Sequence, residues 1–190
     1  MNGLIPGKLK RKEIFFSTYV CHPSMANNEL SGPVVAQSLM KYLLGRDNMY
    51  SYRFVFLPET VGSISYIALK LKKMKKNILG GFVLSCVGDE KAFSIISSRT
   101  SNNPLEAILE SNILRLSKEY SSALTVYSFL HRGSDERQYC SPGVDLPISG
   151  FCRSKHGTYP EYHTSDDNFK VLTETGLMGS LEVLINTIND

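Results

Sequence analysis

Short runs of β-branched and aromatic residues, each ended by a polar tip, alternate with longer segments of helical periodicity along nearly the whole chain. Ile14 to Val20 reads as a strand that stops at Cys21-His22-Pro23, and Val34 to Leu44 then reads as a helix with Val34, Val35, Leu39, Tyr42 and Leu43 on one face. Tyr52 to Leu57 repeats the strand signal, Pro58-Glu59-Thr60 interrupts it, and Val61 to Lys76 resumes a helical pattern that ends in lysines. Leu79 to Val87, Phe93 to Ser97, Thr125 to Leu130 and Leu146 to Cys152 are further strand segments. Pro104 to Tyr120 and Thr173 to Ile188 are further helices. Strands alternating with helices predict an α/β sandwich around a largely parallel sheet.

A chain of 190 residues, 42% of them hydrophobic, is long enough to bury a core as one domain over residues 1–190. Lys and Arg number 21 against 18 Asp and Glu. A net charge of +3 is too slight to imply a nucleic-acid or membrane partner. The four cysteines, Cys21, Cys86, Cys140 and Cys152, form no C-x-x-C pair, and no apolar run approaches the roughly 18 residues of a membrane span. Both features predict a reduced, cytoplasmic chain.

In an open α/β sheet, ligands gather outside the carboxyl ends of the strands. Here those tips carry His22, Asn28 and Glu29, then Glu59, then Asp89. Later tips carry His131, Asp135 and Glu136, and Arg153 followed by Tyr162, His163, Asp166 and Asp167. Imidazoles and carboxylates converging on one rim are the donors that bind zinc, with one carboxylate left to activate water. Each residue also has a plainer role: His22 as a loop histidine bonded to backbone, Glu59 as a helix cap, Asp89 as a turn residue. His131 and His156 read as solvated, and Asp166-Asp167 as a turn leading into a helix. A serine nucleophile at Ser31 or Ser134 lacks the G-x-S-x-G setting.

Two segments carry a recognisable pattern. STYVCHPSMANNELSGPVVAQSL, Ser17 to Leu39, resembles the strand, histidine loop and Ser-Gly helix start of the zinc-dependent aminopeptidases. YHTSDD, Tyr162 to Asp167, resembles their C-terminal His-Thr motif. RFVFLPETVGSISYI is similar to their general-base segment, and GSDERQY to a substrate-side loop. The set is similar to a bacterial branch of aminopeptidase-like proteins associated with polysaccharide biosynthesis. The resemblance implies an α/β three-layer sandwich with a mixed, largely parallel sheet, of the zinc exopeptidase (phosphorylase/hydrolase-like) type.

Carried over by position, the resemblance implies His22 and His163 as metal ligands and Glu59 as the catalytic base. Asp89 falls near the family's acidic ligand, with Cys86 as a competing thiolate. Asn28 stands where the family has its bridging aspartate, and Thr60 where it has a second glutamate. Neutral oxygens hold a divalent ion poorly, so one zinc ion bound by His22, His163 and one or both of Glu29 and Asp89 is expected rather than two. Asp135 and Glu136 are expected to bind a substrate amine, and Arg137 and Arg153 a carboxylate or phosphate. The implied function is a zinc-dependent aminopeptidase or related amidohydrolase acting on a small peptide or amide. The alternative is a non-catalytic module that keeps the fold and recognises a glycan precursor or modified amino sugar. Family members usually carry more chain on both sides, so a truncated domain is expected, its sheet edges covered in a homodimer.

Overall fold

The computed structural model describes residues 1–100 and 103–190. Seven strands form one sheet: β1 (Asn2–Ile5), β2 (Leu9–Tyr19), β3 (Tyr50–Leu57), β4 (Ile78–Leu84), β5 (Ala92–Ile96), β6 (Ala123–Tyr127) and β7 (Ile148–Cys152). Their spatial order is β1-β3-β2-β4-β7-β5-β6. The pairs β2–β3, β2–β4, β4–β7 and β5–β6 are parallel, whereas β1–β3 and β5–β7 are antiparallel. The sheet is therefore mixed and largely parallel, as expected.

Parallel neighbours need crossovers, and helices supply them. α1 (Ser31–Leu44) joins β2 to β3, and α2 (Val61–Asn77) joins β3 to β4. The chain steps from β2 outward to β3, then back across β2 to β4, so right-handed crossovers put α1 and α2 on opposite faces. Side chains confirm the layering. Phe16, Phe54 and Phe82 pack with α1, α3 (Pro104–Tyr120) and α5 (Glu174–Asn189), and Phe15, Val55 and Val83 pack with α2 and the short α4 (Glu136–Tyr139). Neighbours Phe15 and Phe16, both buried, thus serve different cores, the period-two signature of a strand covered on both faces.

Several elements depart from the sequence pattern. β2 begins at Leu9, because Leu9 to Lys12 are exposed and give no apolar signal. β1 has no such signal either: of its four residues only Ile5 is buried. β6 ends at Tyr127, and Phe129–His131 forms a single 3₁₀ turn. Strand β4 stops at Leu84, before Cys86 takes a left-handed backbone with φ of 51°. On α1, Val34 faces solvent, and the buried face runs instead through Val35, Ala36, Leu39 and Leu43. Among the described residues no helix is long and apolar enough to cross a membrane.

Candidate metal centre at the strand ends

Strand order reverses at β2, and the residues just past β2, β3 and β4 meet at that switch point. His22 follows β2, Glu59 follows β3, and the segment from Ser85 to Asp89 follows β4. Non-glycine residues with positive φ concentrate here. Ser24, Thr60, Cys86 and His163 account for four of the six among the described residues, so local backbone strain is held where the polar tips converge.

The His22 ring is the hub. Its Nδ1 lies 3.2 Å from Glu29 Oε2, and the His22 backbone N–H donates to the same oxygen at 2.7 Å. Its Nε2 lies 3.7 Å from Glu59 Oε2, beyond hydrogen-bond length. The His163 ring stands 5.4 Å away, centroid to centroid, and is stacked at 3.9 Å on Tyr162. Cys21, an exposed residue, places Sγ 3.2 Å from His22 Nδ1 and accepts the Glu59 backbone N–H at 3.2 Å. One ligand atom each from Cys21, His22 and Glu29 lies within 4.8 Å of the others.

A buried brace holds this rim. A wide helical turn, Ala26–Leu30, carries Asn28 and Glu29 beneath His22, and fully buried Asp167 accepts the backbone N–H groups of Asn27 and Asn28 at 2.7 and 2.9 Å. Asn27 in turn accepts from Gly88 N–H at 2.8 Å and donates to Asp89 Oδ2 at 3.0 Å. Asn28 donates to Tyr19 Oη at 2.6 Å, but its buried Oδ1 has no hydrogen-bond partner among the described residues. An unpaired buried carbonyl oxygen is costly, and a cation is one group that satisfies it. The Cys21, His22 and Glu29 donors fit one zinc ion. With Asn28 and Thr60 uncharged, they do not fit the two-ion site of a cocatalytic peptidase.

The other sequence expectations are corrected here. Asp89 is buried, and its two oxygens accept from Asn27 Nδ2, Ser154 N, Ser154 Oγ and Lys91 N. With that set of donors it ties β4 to the segment after β7, and it joins no metal-type cluster among the described residues. Burial pushes the Cys86 thiol up to about 12, and Cys86 joins no metal-type cluster among the described residues. Asp135 is fully buried: its Oδ1 accepts Thr60 N–H at 2.8 Å and Ser63 Oγ–H at 2.7 Å, so it shapes the Glu59-Thr60 turn rather than meeting a substrate amine. Burial, opposed by those hydrogen bonds, raises its carboxyl to about 6.

Glu136, 1% exposed, accepts the N–H groups of Gly133 and Ser134 and closes its own loop. Arg153 is fully buried, with its guanidinium 3.6 Å from the Phe93 ring centroid and one bond to Ser122 Oγ. Burial lowers its pKa to about 10. It cannot present charge to a substrate from there. Arg137, by contrast, reaches the rim and donates to Thr60 Oγ1 at 2.8 Å. His156 is buried under Gly133 rather than solvated, and Ser31 and Ser134 are buried away from any nucleophile role. Asp167, Asn27 and Cys21 carry roles that no motif signalled. For Asn27 and Asp167 the one hint was the density of hydrogen-bonding residues in NNE and TSDD.

A mixed seven-stranded sheet between two helical layers is a fold shared with aminopeptidases of known structure. The Bacillus subtilis zinc aminopeptidase BSAP matches with a TM-score of 0.80 at 16% identity, over 98% of this chain and 48% of that one. A glutaminyl cyclase from an Acidobacteriales bacterium shares the fold too, at TM-score 0.77 and 16% identity, over 99% of this chain and 71% of that one. More narrowly, the chain belongs to the family described as domain of unknown function DUF4910, which matches residues 2–190.

A Clostridium acetobutylicum relative, named as a candidate polysaccharide biosynthesis protein with an aminopeptidase-like domain, is 38% identical over 184 residues, 97% of this chain and 41% of the relative. A crystal structure of a candidate peptidase from Clostridium acetobutylicum matches with a TM-score of 0.91 at 36% identity, over 99% of this chain and 43% of that one. This chain spans about two fifths of the length of these clostridial relatives.

Proposed function

We propose that this domain hydrolyses an amide bond in a small substrate at the His22–Glu59 rim, with one zinc ion as cofactor. The observation that carries the reading is the pairing around one imidazole: Glu29 at Nδ1, Glu59 at Nε2, and the His163 ring 5.4 Å away. His22 and Glu29 would hold the ion, with His163 opposite them. Bound there, zinc supplies Lewis-acid polarisation of a carbonyl and acidifies water.

The remaining work falls to the chain itself. Glu59, whose side chain is 20% exposed, reaches solvent and accepts the proton of the attacking water. Its backbone is fixed twice, by its own N–H on Cys21 Sγ and by the next N–H on Asp135. Glu29 also ties down the histidine loop, because it accepts the His22 backbone N–H at 2.7 Å. The relative's name joins an aminopeptidase-like domain to polysaccharide biosynthesis, so an amide-bearing saccharide belongs in the substrate panel beside small peptides.

Elemental analysis of the purified chain, with hydrolysis of aminoacyl amides and N-acylated sugars, tests the reading. Glu59→Gln is expected to keep its zinc and lose hydrolysis by about 10²- to 10⁴-fold. Undiminished hydrolysis in that variant, or fewer than about one zinc per chain after zinc addition, defeats it.

A further inference from the structure

His22 Nδ1 stands between two side chains that can both become anionic ligands. Nδ1 has two neighbours at 3.2 Å, Cys21 Sγ and Glu29 Oε2. A ring nitrogen carries either one N–H or one lone pair, so the two groups compete for it. Two anionic-capable donors and an imidazole nitrogen are instead spaced as the vertices around a metal. With Zn–N near 2.0–2.1 Å and Zn–S near 2.3 Å, neighbouring ligand atoms of a tetrahedron lie about 3.3–3.6 Å apart. All three donor atoms lie within 4.8 Å of one another.

We propose that Cys21 is a zinc ligand, completing a Cys21–His22–Glu29 set in place of a carboxylate and leaving His163 to face the substrate. This rests on the zinc reading above and deepens it. The sulfur is placed for that role on three counts. It sits on the exposed rim, where an ion can enter. It accepts a backbone N–H, from Glu59, as ligated sulfur commonly does. Asp89, the acidic residue expected to serve as a ligand, is consumed by its hydrogen bonds to Asn27, Ser154 and Lys91. Three protein ligands then leave one position open, the coordination of a catalytic rather than a structural zinc. His163 is held by stacking on Tyr162 and stands ring to ring with His22 rather than within the tight cluster.

Cobalt(II) substitution of the 190-residue chain distinguishes the possibilities spectroscopically, without an activity assay. The expected result is one cobalt per chain with a near-ultraviolet sulfur-to-cobalt charge-transfer band. Cys21→Ser is expected to abolish that band and weaken zinc binding by about tenfold or more. His163→Ala is expected to keep the band. Stoichiometric cobalt binding without the band, or a band that survives in Cys21→Ser, overturns the proposal while leaving a zinc site standing. No cobalt or zinc binding at all overturns both readings. Circular dichroism of Cys21→Ser guards against misfolding. Should that variant fail to fold, extended X-ray absorption of the unaltered zinc-loaded chain decides, because sulfur bound directly to the ion supports the proposal and an all-N/O ligand set overturns it.

Discussion

Replacing Asp135 by Asn isolates the charge buried behind the Glu59 turn. Asp135 has no solvent contact, its Oδ2 has no hydrogen-bond partner among the described residues, and its carboxyl is raised from 3.8 to about 6. Burial is the main cause, with Glu59 and Glu136 adding to it and the bonds from Thr60 and Ser63 opposing it. A carboxyl with a higher pKa in the folded than in the unfolded chain binds its proton more tightly when folded. Its contribution to stability is then greatest below the unfolded value and falls as pH rises through the window from about 4 to 6. At about 1.4 kcal/mol per tenfold change in proton affinity, the displacement amounts to roughly 3 kcal/mol lost by pH 7.

The amide of an Asp135→Asn variant would keep a carbonyl oxygen to accept from Thr60 and Ser63 but carry no charge. Urea denaturation of this variant and the unaltered chain, at pH values from about 4 to 8, reads the difference directly. The variant's stability relative to the unaltered chain is expected to rise by roughly 3 kcal/mol across that range, most of it before about pH 6.5. A difference that stays constant with pH would mean that Asp135 titrates as an ordinary exposed carboxyl, and the account of the turn would fail.

Asp167→Ala strands two buried backbone N–H groups, those of Asn27 and Asn28, at about 1–3 kcal/mol each; a loss below about 1 kcal/mol in chemical denaturation would contradict its bracing role. A Cβ at Gly32 would lie 2.3 Å from Thr18 Oγ1 and 2.6 Å from Leu84 O, where α1 meets the sheet, whereas at Gly3 it would meet only Met40 Cε at 3.7 Å. Gly32→Ala is therefore expected to cost about 1–3 kcal/mol or more, and Gly3→Ala to leave Tm nearly unchanged. Arg153→Met removes a buried cation with two nitrogens unpartnered among the described residues and is expected to be neutral or stabilising by about 1–4 kcal/mol, with the proposed amide hydrolysis unchanged; a large loss of activity would restore Arg153 as a substrate contact.

How much of this was readable from residue order differs between the frame and the site. The apolar runs of β2, β3, β4 and β7 and the periodicity of α2, α3 and α5 were legible because they are buried or half-buried and the pattern records it. The strand β1 and the first residues of β2 were not, because exposed backbone can pair without any apolar signature. At the rim, His22 and Glu59 were legible as polar residues ending strands. Asp89, Glu136 and Arg153 looked the same in one dimension, yet all three are sealed in hydrogen bonds or against an aromatic ring.

Periodicity and the order of polar tips were enough to specify an α/β sandwich and to place its chemistry at the strand ends, since burial imposes a repeat that the chain writes out locally. Which tip residues stay available as ligands depended on long-range partners instead. Asp167 reaches back 140 residues to Asn27, and Asp135 reaches 75 residues to Thr60. A carboxylate facing solvent and one saturated by donors are the same letter in the sequence. Only the folded chain, by bringing those donors or withholding them, separates the acids that hold the site together from those left free to do its chemistry.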